Sequence, residues 1–173
     1  MISDLLEVIV KRSVKRKKTI NAHIKYGKII IQIPTGLSKS EEISIVQKMR
    51  KRLEARKDVQ DSKNRDLLER RFNFLNTKFF SGRLVASLSF SGRQEFRNGS
   101  CTPANKTIRI SHNLISMPVW VLDYVLMHEM THLLYSNHSK EFWKKVNEYK
   151  YTERARGFLI AKGMEKEDNG PNN

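Results

Sequence analysis

Residues 118–138 read PVWVLDYVLMHEMTHLLYSNH. Pro118 suits the start of a helix, and the run after it is apolar, so a helix over Val119 to Ser136 is predicted, with Asn137 as its stop residue. Inside it lies His128-Glu129-Met130-Thr131-His132, the H-E-x-x-H pattern in the helical context that pattern requires. Residues four apart on a helix differ by about 40° around its axis, so the imidazoles of His128 and His132 project from one face on successive turns. There they can hold one metal ion at roughly 2.0–2.1 Å. Glu129 points about 100° away, beside the ion rather than on it, where it can take a proton from a water. A further protein ligand is needed, and His138, six residues past His132, is the candidate. A left-handed Asn137 would turn the chain back and aim His138 at the same ion. Three imidazoles with an open fourth position make a catalytic rather than a structural zinc site. Three of the five histidines fall in this span, which sets the motif apart from a chance pair. Of the others, His23 reads as a surface residue on a strand, and His112 follows a strand and could line a cleft.

Outward from this helix, Thr107–Ser111 and Leu84–Phe90 alternate as strands, and Ser91–Ala104 reads as loop. A helix from about Arg65 to Phe80 closes at Ser81-Gly82, with Gly82 as a left-handed cap. Earlier, Ser38 and Glu41 form a capping box for a helix over Lys39–Arg56, whose stripe is Ile43, Val46, Met49 and Leu53. A polar linker, Lys57–Asn64, would join the two helices. Leu5–Ile33 reads as a small antiparallel sheet with a turn at Tyr26-Gly27. After His138, helices over Lys140–Tyr149 and Thr152–Lys162 are expected. This gives an α+β fold in three parts: a β-rich lobe with a basic helix over residues 1–60, a domain over 61–162 that carries the H-E-x-x-H helix, and a flexible tail over 163–173.

The chain has 173 residues, with 39% apolar and 29% charged. That is polar for a globular protein yet above a disordered composition, and long enough to bury a core without staples. A single cysteine, Cys101, excludes a disulfide framework and a Cys-rich zinc module, and fits a reducing compartment such as the cytoplasm. No run approaches the roughly 20 apolar residues of a spanning helix, and no signal-peptide pattern is visible, so no membrane role is expected. The net charge is +15, which draws the protein to polyanions. Lys11, Arg12, Lys15–Lys18, Lys48, Arg50–Arg52, Arg56 and Lys57 concentrate this charge in the N-terminal third. A nucleic-acid partner through that surface is one expectation, although no zinc finger, helix-turn-helix or aromatic-interleaved strand accompanies it.

Read together, Thr107–Ser111, Met117–Leu126, His128–His132 and Asn137–Trp143 resemble the YgjP-like metallopeptidase family, related to the SprT-like and WLM zincin proteases. The resemblance covers residues 64–162 well and the N-terminal lobe more weakly. It implies a zincin-like α+β fold, with a small antiparallel or mixed sheet packed on the H-E-x-x-H helix and an N-terminal strand-helix lobe. It also implies Zn2+ held by His128, His132 and His138, Glu129 as general base, and a peptide or protein substrate. Where members often have Arg-Trp-Gly-Ser-Cys, this chain has Arg97-Asn98-Gly99-Ser100-Cys101. The strand Thr107–Ser111 would form the cleft rim along which an extended peptide adds. Tyr135, His112, Tyr149 and Arg154 are candidate oxyanion helpers, and Cys101 a candidate for a buried thiol or a thiolate approaching the metal. Two rival readings remain. One is a zinc hydrolase of a non-peptide substrate such as a nucleotide. The other is a nucleic-acid or partner-binding module with a structural metal site, which would need neither Glu129 nor an open coordination position.

Overall fold

A computed structural model describes residues 6–91 and 98–165. The expected tail from 166 onward and the central part of the loop after Ser91, with Arg97, lie outside the described residues. The elements are β1 (Val8–Ser13), β2 (Asn21–Lys25), β3 (Lys28–Pro34), α1 (Lys39–Phe80), β4 (Ser87–Ser91), β5 (Gly99–Thr102), β6 (Thr107–Ser111), α2 (Val119–Thr131), α3 (Lys140–Val146) and α4 (Thr152–Ala161). The fold is α+β. Its residues group into two compact units, Met1–Ser62 and Lys63–Asn173, and α1 contributes to both. Among the described residues, no helix is long and apolar enough to cross a membrane.

In the first unit, β3 is the central strand. Ile29, Ile31 and Ile33 alternate along it and are fully buried, each burial being worth about 1.5–3 kcal/mol. They pack with Val8, Val10 and Ala22 from the neighbouring strands and with Ile45, Val46, Met49 and Leu53 from α1. The expected turn is present: Tyr26 and Gly27 both take positive φ, and β2 returns antiparallel to β3. The expectation of an all-antiparallel sheet is corrected, because β1 runs parallel to β3, with Val8 opposite Ile29 and Val10 opposite Ile31. The order is β1-β3-β2, so the chain between β1 and β2 crosses the end of β3. Arg16 on that crossing donates from Nη2 to Gln32 Oε1 at 2.8 Å.

The capping box forms as read: Glu41 N–H donates to Ser38 Oγ, and Ser38 N–H donates to Glu41 Oε2 at 2.8 Å. The expected linker over 57–64 is helix instead, and α1 runs unbroken for 42 residues. Ion pairs four residues apart, Arg50–Glu54 and Lys57–Asp61, support a stretch that lacks a wide apolar stripe. The helix ends where predicted, with Ser81 and Gly82 at positive φ and Gly82 N–H donating to Asn76 O.

The second unit repeats the sheet topology of the first. Its order is β4-β6-β5, with β4 parallel and β5 antiparallel to β6. Ile108 and Ile110 of β6 are fully buried and share one core with Leu68, Phe72 and Leu75 of α1 and with most of α2. Buried Asp123 fixes the back of α2: Arg71 donates to both its oxygens at 2.7 Å, and the Tyr149 hydroxyl donates to Oδ2 at 3.2 Å. The strand β5 falls in the segment expected to be loop. Because β6 is paired on both sides, it cannot accept a peptide strand, and the expectation that it forms the cleft rim is corrected: the edge strands are β4 and β5, and β5 is the one that crosses Glu129.

Candidate metal centre

The α-helix α2 ends at Thr131, five residues earlier than expected. His132 caps it, and Leu133 and Leu134 donate to the carbonyls of Met130 and Thr131 in tighter three-residue turns. These turns bring the chain round. Asn137 is not among the residues with positive φ, so the left-handed bend expected there is absent. Ser139 then caps α3, its hydroxyl accepting from Phe142 N–H at 3.3 Å, and His138 is set just outside that cap.

The three histidines form a near-equilateral group, with ring centroids 4.9, 5.0 and 4.8 Å apart. One ligand atom from each lies within 4.8 Å of the other two. The Nε2 atoms of His128 and His138 face each other at 3.1 Å. Two tetrahedral ligands at metal–nitrogen distances of roughly 2.0–2.1 Å would stand about 3.3 Å apart, so this pair is spaced for a shared ion. His132 Nδ1–H donates to the Tyr135 carbonyl at 3.1 Å, and a carbonyl can only accept, so the proton is on Nδ1 and Nε2 is left free to ligate. His128 Nδ1 is buried and has no hydrogen-bond partner among the described residues. Burial, followed by the neighbouring His132 and His138, pushes the His128 pKa down to about 3, so the ring is neutral, as a ligand must be. Burial also lowers that of His132. Beneath the group, fully buried Phe142 lies 4.9, 4.5 and 4.7 Å from the rings of His128, His132 and His138. Trp143 stacks on His138. The donor set, three neutral imidazoles converging on one point, fits a borderline-soft divalent ion.

Glu129 is buried beside the group, on the same helix. The strand β5 crosses it so closely that a Cβ on Gly99 would lie 2.6 Å from Glu129 Oε1 and 2.8 Å from its Cγ. A cavity of about 230 Å³ opens here, lined by Asn98, Gly99, Tyr124, Val125, His128, Glu129, His138 and Glu165. Tyr124, one turn before His128, donates its hydroxyl to Glu165 Oε1 at 3.0 Å. Burial and that carboxylate hold its ionisation far above the ordinary tyrosine range. Asn98, at the position where the resemblance leads one to expect Trp, donates from Nδ2 to the Met164 carbonyl at 2.8 Å.

None of the four candidate oxyanion helpers lines this cavity. Tyr149 is engaged with Asp123. The Arg154 guanidinium lies over the Trp120 ring, and His112 stacks on Phe90. Tyr135 contributes its carbonyl to His132. Cys101 is half-buried, and burial, with Glu129 adding, pushes its thiol up to about 11, so it is a thiol and not a thiolate. Sequence reasoning missed Tyr124, Gly99 and Glu165 as residues of the cavity. The i, i+4 spacing of Tyr124 to His128 was a signal for the first, and the Arg97–Cys101 segment of the resemblance for the second.

A helix bearing H-E-x-x-H, a third His returned to it by a tight turn, and a glycine on the strand that crosses Glu129 make up a candidate metal centre. Comparison with known families agrees: residues 82–156 match the YgjP-like metallopeptidase domain, which bears out the resemblance read from the sequence. A solved structure, the metallopeptidase zymogen of Pyrococcus abyssi abylysin, is 19% identical over 57% of this chain and 92% of that one, with a TM-score of 0.46. No curated protein matches the chain.

Proposed function

We propose that this protein is a zinc-dependent peptidase in which His128, His132 and His138 hold the ion and Glu129 is the general base. The observation that carries the reading is the convergence of three imidazoles on one point with a buried carboxylate next to them. A divalent ion held there supplies Lewis acidity, polarising a scissile carbonyl and lowering the pKa of a water. Imidazole ligation favours zinc at cellular availability. Glu129 takes the proton from the attacking water and delivers it to the leaving amine. The extended substrate lies along β5, whose outer edge has no strand partner among the described residues. Main-chain hydrogen bonds to that edge hold the peptide and orient the scissile carbonyl. Tyr124, kept protonated, can offer its hydroxyl toward the cavity in place of its bond to Glu165. The single cysteine suits a reducing compartment, and we place the protein in the cytoplasm.

Metal analysis and peptide hydrolysis test this reading. Purified protein should carry about one zinc per chain, and His138→Ala should lose it or bind it 10–100-fold or more weakly. Glu129→Gln should keep the metal and lose activity by about 10²–10⁴-fold. A wild type that takes up no metal when zinc is supplied, or a fully active Glu129→Gln, would overturn the proposal.

A further inference from the structure

The first unit carries a second surface with a chemistry of its own. Residues 8–34 contain eight lysines and arginines and no carboxylate. Glu7 is paired with Lys28 and Glu42 with Arg12. Lys11, Lys15, Arg16, Lys17, Lys18 and Lys25 make no ion pair among the described residues.

The register shows how these cations are displayed. The face of the sheet with Ile29, Ile31 and Ile33 is buried against α1, so the alternate residues form the opposite face. Across the strands, one row of that face is Ile9, Ile30 and His23, and the next is Lys11, Gln32 and Asn21. Lys25 and Lys28 stand opposite each other at the far end, and Arg16 leans on Gln32 from the crossing segment. Cations therefore sit at both ends of a strip whose middle is apolar and whose flanks are amide and imidazole. From Lys28 to Gln32 the strip is about 13 Å long. No described element covers it.

We propose that this open sheet face binds single-stranded nucleic acid without sequence preference. Lys25 at one end, and Lys11 and Arg16 at the other, neutralise phosphates, while Lys28 stays paired with Glu7. The Ile9–Ile30–His23 row offers bases an apolar and imidazole platform, and Asn21 and Gln32 hydrogen-bond base edges or sugars. A duplex would present only its phosphates and leave the isoleucines uncovered, so the unpaired strand fits the face better. The surface lies wholly within the first unit and is independent of the metal chemistry.

The test uses the full chain and a fluorescein-labelled single-stranded DNA of mixed sequence, about 20 nucleotides long, read by fluorescence anisotropy against salt. Binding should weaken with salt, and the double variant Lys11→Glu/Lys25→Glu should bind on the order of tenfold or more weakly at low salt. The neutral pair Lys11→Gln/Lys25→Gln should lower the log–log salt slope by about 1.4, the share of two phosphate contacts on a single strand. Lys48→Glu/Arg52→Glu on the solvent side of α1 makes the same charge change elsewhere and should cost less than half the loss in binding free energy. Circular dichroism and thermal melting check that each variant folds. Equal losses from both Glu pairs would show a diffuse charge effect and overturn the proposal. So would tighter binding to the matching duplex, absence of binding at low salt, or binding only to phosphatidylserine vesicles.

Discussion

Replacing Gly99 with Ala should damage catalysis while leaving the metal in place. The new Cβ would lie 2.6, 2.8 and 3.0 Å from Oε1, Cγ and Cδ of Glu129. Ordinary carbon contacts sit at about 3.5–4.0 Å, so relieving all three overlaps requires a shift of about 1 Å. The carboxylate tip alone cannot relieve this by rotating, because Cγ is also struck. Glu129 is buried, so the side chain must be driven off its position or β5 must be pushed from α2. Overpacking of this kind costs about 1–3 kcal/mol of stability. A catalytic group misplaced by about 1 Å costs on the order of 10²-fold in rate. The three atoms nearest the new methyl all belong to Glu129 and none to an imidazole, so zinc stoichiometry should be unchanged. The assay is kcat/KM on a quenched peptide, with metal content measured on the same preparation, for wild type, Gly99→Ala, Glu129→Gln and the double variant. If Gly99 acts by giving Glu129 its place, the loss should vanish in the Glu129→Gln background. Activity within twofold of wild type, or an equal further loss on top of Glu129→Gln, would refute the reasoning.

Three other outcomes follow from the same structure. Asp123→Asn removes the charge that Arg71 grips from two sides and that Tyr149 also meets. Breaking such a pair should destabilise the protein by about 3 kcal/mol, discounted because Arg71 is partly exposed, which denaturant unfolding would read. Cys101 forms a thiolate only as pH approaches about 11, so at pH 8 iodoacetamide should alkylate it about a hundredfold more slowly than an unstructured cysteine with a thiol pKa of 9.0. A mass-spectrometric time course measures this, and Glu129→Gln should speed the reaction because it removes the second cause of the shift. Zinc at about 100 times its dissociation constant should raise stability by about 2.7 kcal/mol. A chelator should lower the melting temperature of wild type and leave that of His138→Ala unchanged.

What was readable in the sequence was what is local in the chain. The helix that carries His128 and Glu129 and is capped by His132 follows from Pro118 and the apolar run after it, and Thr107–Ser111 is a strand with the bounds its alternation predicted. The cap at Ser38 and the close of α1 at Gly82 were likewise fixed by their own neighbours. The residues 57–64 were misread because helix was sought through an apolar stripe. Their solvent-facing turns carry ion pairs where a buried helix carries Leu or Ile. The strand β5 was missed for a related reason: Gly99-Ser100-Cys101-Thr102 has no large alternating side chain. It is a strand because β6 pairs with it, and Gly99 is there because Glu129 leaves no room for anything larger.

The direction of β1 was hidden in another way. A seven-residue connection allows either a direct return or a crossing, and only the pairing of Val8 and Val10 with Ile29 and Ile31 selects the crossing. That selection has a consequence for the opposite face. With β1 on one side of β3 and β2 on the other, Lys11 and Asn21 stand in one row across Gln32, and Arg16 is carried over the end of the same strand. In a simple meander β1 would lie beside β2 and away from β3. The cations of the two outer strands would then bracket β2, and Arg16 would have no route to Gln32. The parallel pairing is therefore what turns a scattered basic sequence into a strip with charge at both ends. Because it rests on inward-facing valines, Val8→Ala/Val10→Ala should weaken nucleic-acid binding with no charge removed. A variant that keeps both its helix content and full affinity would show that the register does not organise the strip.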